Sequence, residues 1–181
     1  MILEFTTELK SKPTYFVEKI IKGLIDFYLS TKSFHTYMDL EAELQETVVR
    51  LLDYKNPGDF VRRTRGFRSK LHTMRTDEEE IWNQDSMIDF YFNKNEIPVC
   101  FAYSIPCVST QEVFMTYGHS DLIHISIDGH ELFGYNERLK FAINDGFDSW
   151  DDFFDYFYPK IKQSENQFYK SKLIHWTDLK Y

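Results

Sequence analysis

The chain has little cysteine. Cys100 and Cys107 are the only two in 181 residues, too few for a disulfide scaffold, and such usage fits a reducing cytosol. With seven Gly and five Pro, it is not a low-complexity chain. No apolar run approaches the roughly 18 residues of a membrane helix. Met1-Ile2-Leu3-Glu4-Phe5 lacks the basic and apolar regions of a secretory leader. These absences predict a soluble, cytoplasmic protein with no membrane partner. Basic residues number 21 against 29 acidic, and the net charge of −8 excludes a surface coated for nonspecific nucleic-acid binding. No metal is expected, because His119, His124 and His130 lack His-x-x-x-His spacing and the cysteines lack Cys-x-x-Cys. No glycine-rich loop matches a phosphate or dinucleotide fingerprint, so no cofactor is expected either.

What the chain does have is ring surface. Phe, Tyr and Trp make up 18% of it, which argues against disorder. Its length suits one domain, residues 1–181, able to bury roughly 70% of its unfolded surface. Charge is uneven. Residues 62–75 hold Arg62, Arg63, Arg65, Arg68, Lys70 and Arg75 with no acid, which makes that segment +6 and the remainder −14. An anionic partner should meet this segment.

The element pattern is mixed. Ile2–Thr6 alternates like an edge strand. Ser11 and Pro13 read as the start of a helix bearing Phe16, Ile20, Leu24 and Tyr28, which Gly23 either interrupts or caps. Asp39 reads as the N-cap of a second helix with Leu40, Leu44, Val48 and Leu51 inward, and Asn56-Pro57-Gly58 as a turn. Strands are expected at 71–76, 87–92, 99–108, 112–117, 122–127 and 173–176, with a tight turn at Asp128-Gly129. The run Phe90, Tyr91, Phe92, Phe101 and Tyr103 suits one core face better than a base-stacking platform. A helix over 135–145 should close at Gly146. Another should open at Ser149 and stop at Pro159, before a mobile stretch at 160–169. The class is α+β, with a mixed sheet or small open barrel.

Three patterns then fall in a familiar order. They are Phe16-Val17-Glu18-Lys19-Ile20-Ile21-Lys22-Gly23; Lys70-Leu71-His72-Thr73-Met74-Arg75 followed by an acidic turn and Trp82; and Ala142-Ile143-Asn144-Asp145-Gly146-Phe147 leading into an aromatic helix. Together with the terminal His175-Trp176, they resemble the ASCH domain of the PUA-like superfamily, in its bacteriophage form. The resemblance covers residues 13–24 and 70–176 and leaves a helical insertion at about 25–69. Asp85 stands where the family usually has Gly. The resemblance implies a small mixed β-barrel with peripheral helices and a cleft that binds RNA, a nucleotide or a modified nucleoside. For a phage product, the compartment would be the bacterial host cytoplasm.

A small bacterial relative removes the acetyl group from N4-acetylcytidine with a Lys-x-x-Thr-x-Arg pattern, and Lys70, Thr73 and Arg75 match it. An amidohydrolase would use Thr73 as nucleophile, Lys70 as a base with lowered pKa, and Asp145 to orient Lys70. Residues three apart on a strand face opposite sides, so Lys70 and Thr73 converge only if Lys70 precedes the strand or a bulge intervenes. Arg62, Arg63, Arg65, Arg68 and Arg75 are candidate phosphate or base contacts. Trp82 is a candidate for base recognition or for packing. A third reading is an acidic protein that binds a host factor through Asp148–Asp155.

Overall fold

In the computed structural model, which describes residues 1–31, 34–118 and 122–181, the chain is α+β. In chain order the elements are β1 (Ile2–Phe5), β2 (Glu8–Leu9), β3 (Lys12–Pro13), α1 (Phe16–Thr31), α2 (Phe34–Leu51), α3 (Pro57–Thr64), β4 (His72–Arg75), β5 (Met87–Lys94), β6 (Ile97–Pro106), β7 (Ser109–Tyr117), β8 (Ile123–Ile127), β9 (His130–Glu131), α4 (Tyr135–Asn144), α5 (Trp150–Gln163) and β10 (Phe168–His175). They divide into two compact units. One comprises Met1–Leu71 with Ser86–Pro106, and the other His72–Asp85 with Cys107–Tyr181. Among the described residues no sheet closes into a barrel; the strand orders are β1-β5-β6, β4-β10-β7-β8-β9 and β2-β3.

In the first unit, β1 runs parallel to β5, and β5 and β6 form an antiparallel hairpin. The hairpin turns at Asn95 and Glu96, both at positive φ (52° and 67°), the twist-matched geometry of a two-residue type I′ turn. Alternation points Leu3, Phe5, Phe90 and Phe92 inward to join Phe101. The Phe5 ring lies edge-on to Phe90 at 5.7 Å and to Phe101 at 6.2 Å. These rings are core, as their spacing suggests, whereas Tyr103 is exposed. Helix α1 buries Val17, Ile20, Ile21 and Leu24.

Pro13 does not open this helix. Lys10 and Ser11 both take positive φ and turn β2 back onto β3, so the helix starts only at Phe16, whose amide reaches Thr14 Oγ1 at 3.4 Å. Gly23 neither breaks nor caps it. A Cβ there would meet the Lys70 carbonyl at 3.0 Å and Leu71 Cδ2 at 3.1 Å, so glycine admits the 69–71 segment against the helix. Helix α2 begins at Phe34, ahead of Asp39. Asn56-Pro57-Gly58 starts α3 rather than a turn. Asn56 Oδ1 accepts from the Asp59 amide at 2.9 Å, and Pro57 sits where a missing N–H costs little.

The second unit is a five-stranded antiparallel sheet carrying α4 and α5. Asp128 and Gly129 (φ 49° and 85°) make the tight turn between β8 and β9. Helix α4 ends in a Schellman motif. The Gly146 amide (φ 98°) donates to Ile143 O at 2.8 Å, and the Phe147 amide to Ala142 O at 3.0 Å. Ser149 caps α5 by accepting from the Asp152 amide at 3.1 Å. Pro159 does not end α5, because Phe153, Phe157 and Ile161 keep burying one face through the last turn. Of the stretch 160–169, residues 160–163 are the end of α5 and 168–169 the start of β10, so the loop shrinks to a turn at 164–167. β10 is an interior strand, pairing along its full length with β7 and over four residues with the edge strand β4. Asp85 has φ 67°, the left-handed conformation that glycine would adopt there.

Candidate functional site

The second unit gathers polar side chains inside an aromatic interior. His72 on β4 lies directly across from His175 on β10, and both are fully buried. The Schellman turn that ends α4 sets Asn144 and Asp145 beside them. Asp145 Oδ1 is 3.6 Å from His72 Nδ1. Asn144 Nδ2 donates to the Tyr181 hydroxyl at 2.8 Å, and His72 Nε2 lies 2.8 Å from the same oxygen. The Tyr181 ring stands 5.3 Å from Phe141, 5.4 Å from His72 and 6.2 Å from His175. Its backbone is held at both ends by one side chain: the Tyr181 amide donates to Gln111 Oε1 at 3.1 Å, and Gln111 Nε2 donates to Tyr181 O at 3.0 Å. Gln111 is oriented in turn by Asp128, whose Oδ2 accepts from Nε2 at 2.9 Å.

Burial sets the charge states. Desolvation, then the neighbouring His72 and Lys180, push the His175 pKa down to about 3 against the opposing pull of Asp128, so its imidazole is neutral. Neither His175 ring nitrogen has a hydrogen-bond partner among the described residues. Desolvation also raises the Tyr181 phenol well above its ordinary value, outweighing the hydrogen bond from Asn144. The cluster can therefore hold the polar edge of an uncharged planar ring, with neutral imidazole and amide groups as donors and acceptors.

The expected catalytic residues fall in different units. Lys70 belongs to the first, just ahead of β4. It is buried, with its ammonium 4.9 Å from the Phe16 ring centre and 5.8 Å from that of Phe5. Thr73 and Asp145 belong to the second. Thr73 is buried on the face of β4 opposite His72, and its Oγ1 accepts from Arg75 Nη1 at 2.8 Å. Asp145 lies on the His72 side. Arg62 and Arg63 are exposed on α3 and meet Asp59 at 2.6 and 3.8 Å, while Arg65 and Arg68 are exposed beyond it. Trp82 is buried, and its carbonyl accepts from Lys172 Nζ at 3.4 Å.

His72, Gln111, Asn144, His175 and Tyr181 were not among the candidates. Their signals were faint: His72 and Asn144 lie within the quoted motifs, and His175 lies beside Trp176. His119 lies outside the described residues, and His124 Nδ1 is 2.8 Å from Glu131. Among the described residues no three His, Cys, Asp or Glu side chains group as a metal site, and no helix is long and apolar enough to cross a membrane. The first unit has a groove of about 390 Å³ lined by Glu43, Glu46, Arg50, Cys100 and Tyr103, and none of the expected site residues lines it. Compared with known proteins, the chain matches no family model, no curated protein and no solved structure.

Proposed function

We propose that the chain is a PUA-like protein of the ASCH type that binds a nucleotide or a modified nucleoside through its second unit. The observation that carries this reading is the cluster itself. Gln111, His72, Asn144, Asp145 and His175 are all buried around one planar ring, although burying polar groups in an aromatic interior is costly unless they are hydrogen-bonded. Amide and imidazole groups around a flat ring are the groups that read a nucleobase edge. The exposed arginines of α3 belong to the first unit and suit, by themselves, the phosphates of a short RNA end. The barrel of the PUA-like class rests on the motif order alone. Binding is favoured over hydrolysis, because Thr73 Oγ1 already accepts from Arg75 and its strand face is the one opposite His72.

The test is calorimetric titration of the protein with cytidine monophosphate, N4-acetylcytidine and a short single-stranded RNA. Chromatography of the acetylcytidine sample reports any cytidine released. Binding that Asn144→Leu weakens at least tenfold supports the reading. Release of cytidine would move the assignment to the amidohydrolase. No binding of any of the three at millimolar concentration would overturn it.

A further inference from the structure

Tyr181 differs from the rest of its cluster in two respects. It is the most accessible member, intermediate in exposure where His72, Phe141 and His175 are fully enclosed and Gln111, Asn144 and Asp145 nearly so, although its phenol is itself desolvated. It also belongs to no helix or strand and caps none, whereas Asp145, the other member outside a regular element, is the C-cap of α4. Residues 176–181 follow β10 as an irregular strap, and the hydrogen bonds of Tyr181 itself are to the side chains of Gln111, Asn144 and His72. Nothing in a sheet ladder holds this tyrosine.

The atoms behind it are poorly served by a phenol. The one oxygen takes the amide hydrogen of Asn144 and contacts His72 Nε2. His175 is fully buried beside the ring, its centroid 6.2 Å away, and both of its nitrogens lack a hydrogen-bond partner among the described residues. A buried imidazole with two unmet nitrogens loses hydrogen-bond energy on both. A six-membered ring with an exocyclic oxygen could replace the phenol oxygen at Asn144 and His72. Ring nitrogens beside that oxygen, which a phenol lacks, would offer His175 a partner.

We infer that Tyr181 is a built-in occupant of a pyrimidine-sized pocket, and that a free or nucleotide-borne pyrimidine base enters by displacing it. This rests on the reading of the second unit as a nucleotide-binding unit and adds the class of base and the residue that opposes it. Tyr181 is thus a gate, not a contact residue. Its removal strengthens ligand binding, whereas losing a purely structural tyrosine weakens it.

The experiment titrates cytosine and uracil into wild type, Tyr181→Ala and Tyr181→Phe, with circular dichroism to check each fold. Tyr181→Ala should bind at least tenfold tighter than wild type. Tyr181→Phe, which keeps the ring but loses the hydroxyl contacts, should gain a few fold. Equal affinity in all three would overturn the inference and leave nucleotide binding standing. No binding in any of them would remove the nucleotide reading as well. Should Tyr181→Ala fail to fold, wild type decides the question. Saturating cytosine should speed hydrogen exchange at the Tyr181 amide, now tied to Gln111, and unchanged protection with cytosine bound would overturn the gate.

Discussion

His72 and His175 face each other across β4 and β10 with their ring centres 5.4 Å apart, a pair of imidazoles enclosed by the interior of the second unit. Only an uncharged partner is tolerated there. Burial, with His72 and Lys180 adding and Asp128 opposing, holds the His175 pKa at about 3 instead of 6.5. Between those values the unfolded chain binds a proton that the native chain refuses. The stabilisation is therefore complete above about pH 6.5 and is lost as pH falls, at about 1.4 kcal/mol per pH unit for this one group. Urea unfolding of wild type and His175→Phe between pH 7 and 5, where most carboxylates stay ionised, should show a steeper decline in wild type. Parallel declines would refute the role given to His175.

Lys172 and Asp77 form an enclosed charge pair in this unit, 2.9 Å apart with side chains 14% and 3% exposed. Burial alone would raise the Asp77 carboxyl. The hydrogen bond from Lys172 and those from the Ile81 and Trp82 amides outweigh it and hold the pKa below the ordinary value. Asp77→Ala strips the Ile81 and Trp82 amides of their acceptor and leaves the ammonium, among the described residues, only the Trp82 carbonyl at 3.4 Å and Glu112 at 4.0 Å, and should cost about 3 kcal/mol. Lys172→Met leaves Asp77 its two amide donors and keeps the stem's packing, so it should cost less. Chemical denaturation of both variants checks the order, and a reversed order would contradict this account.

Gly23→Ala sets two effects against each other. Helix propensity favours alanine by about 1 kcal/mol inside α1. The new Cβ, however, would sit 3.0 Å from the Lys70 carbonyl oxygen, a backbone atom that cannot swing aside, and overpacking of this kind costs about 1–3 kcal/mol. The steric effect should win, giving a net loss of about 1 kcal/mol and a lower melting temperature by calorimetry. A stabilised variant would mean that the 69–71 segment yields easily.

Local chemistry made part of this fold readable. Ser149 with Asp152, Gly146 after α4, and Asp128-Gly129 each act through their own backbone within a few residues, and all three were legible in the sequence. Pro13 and Pro159 misled for the opposite reason. A turn at Lys10 and Ser11 recruited the first into a strand, and burial of Phe157 and Ile161 carried the helix past the second. The site divides in the same way. Asp145 could be named from its neighbours in sequence. Tyr181 could not, because its partners Gln111 and His72 are 70 and 109 residues away and no local pattern links them.

In the proposed RNA contact, the arginines of the first unit should not contribute equally. Arg62 and Arg63 already meet Asp59, at 2.6 and 3.8 Å, so a phosphate must compete with a carboxylate for them. Arg65 and Arg68 lie exposed past the end of α3. A phosphate contact on single-stranded RNA adds about 0.7 to the slope of log K against log salt. Arg65→Ala with Arg68→Ala should thus lower the slope by about 1.4, and Arg62→Ala with Arg63→Ala by clearly less. The measurement is fluorescence anisotropy of a labelled oligonucleotide over a range of salt. Restoring the field by Asp59→Asn should raise the slope, because it frees two guanidinium groups for phosphate. Slopes unchanged in all three variants would remove this surface from RNA contact and leave the second unit as the only nucleotide-binding candidate.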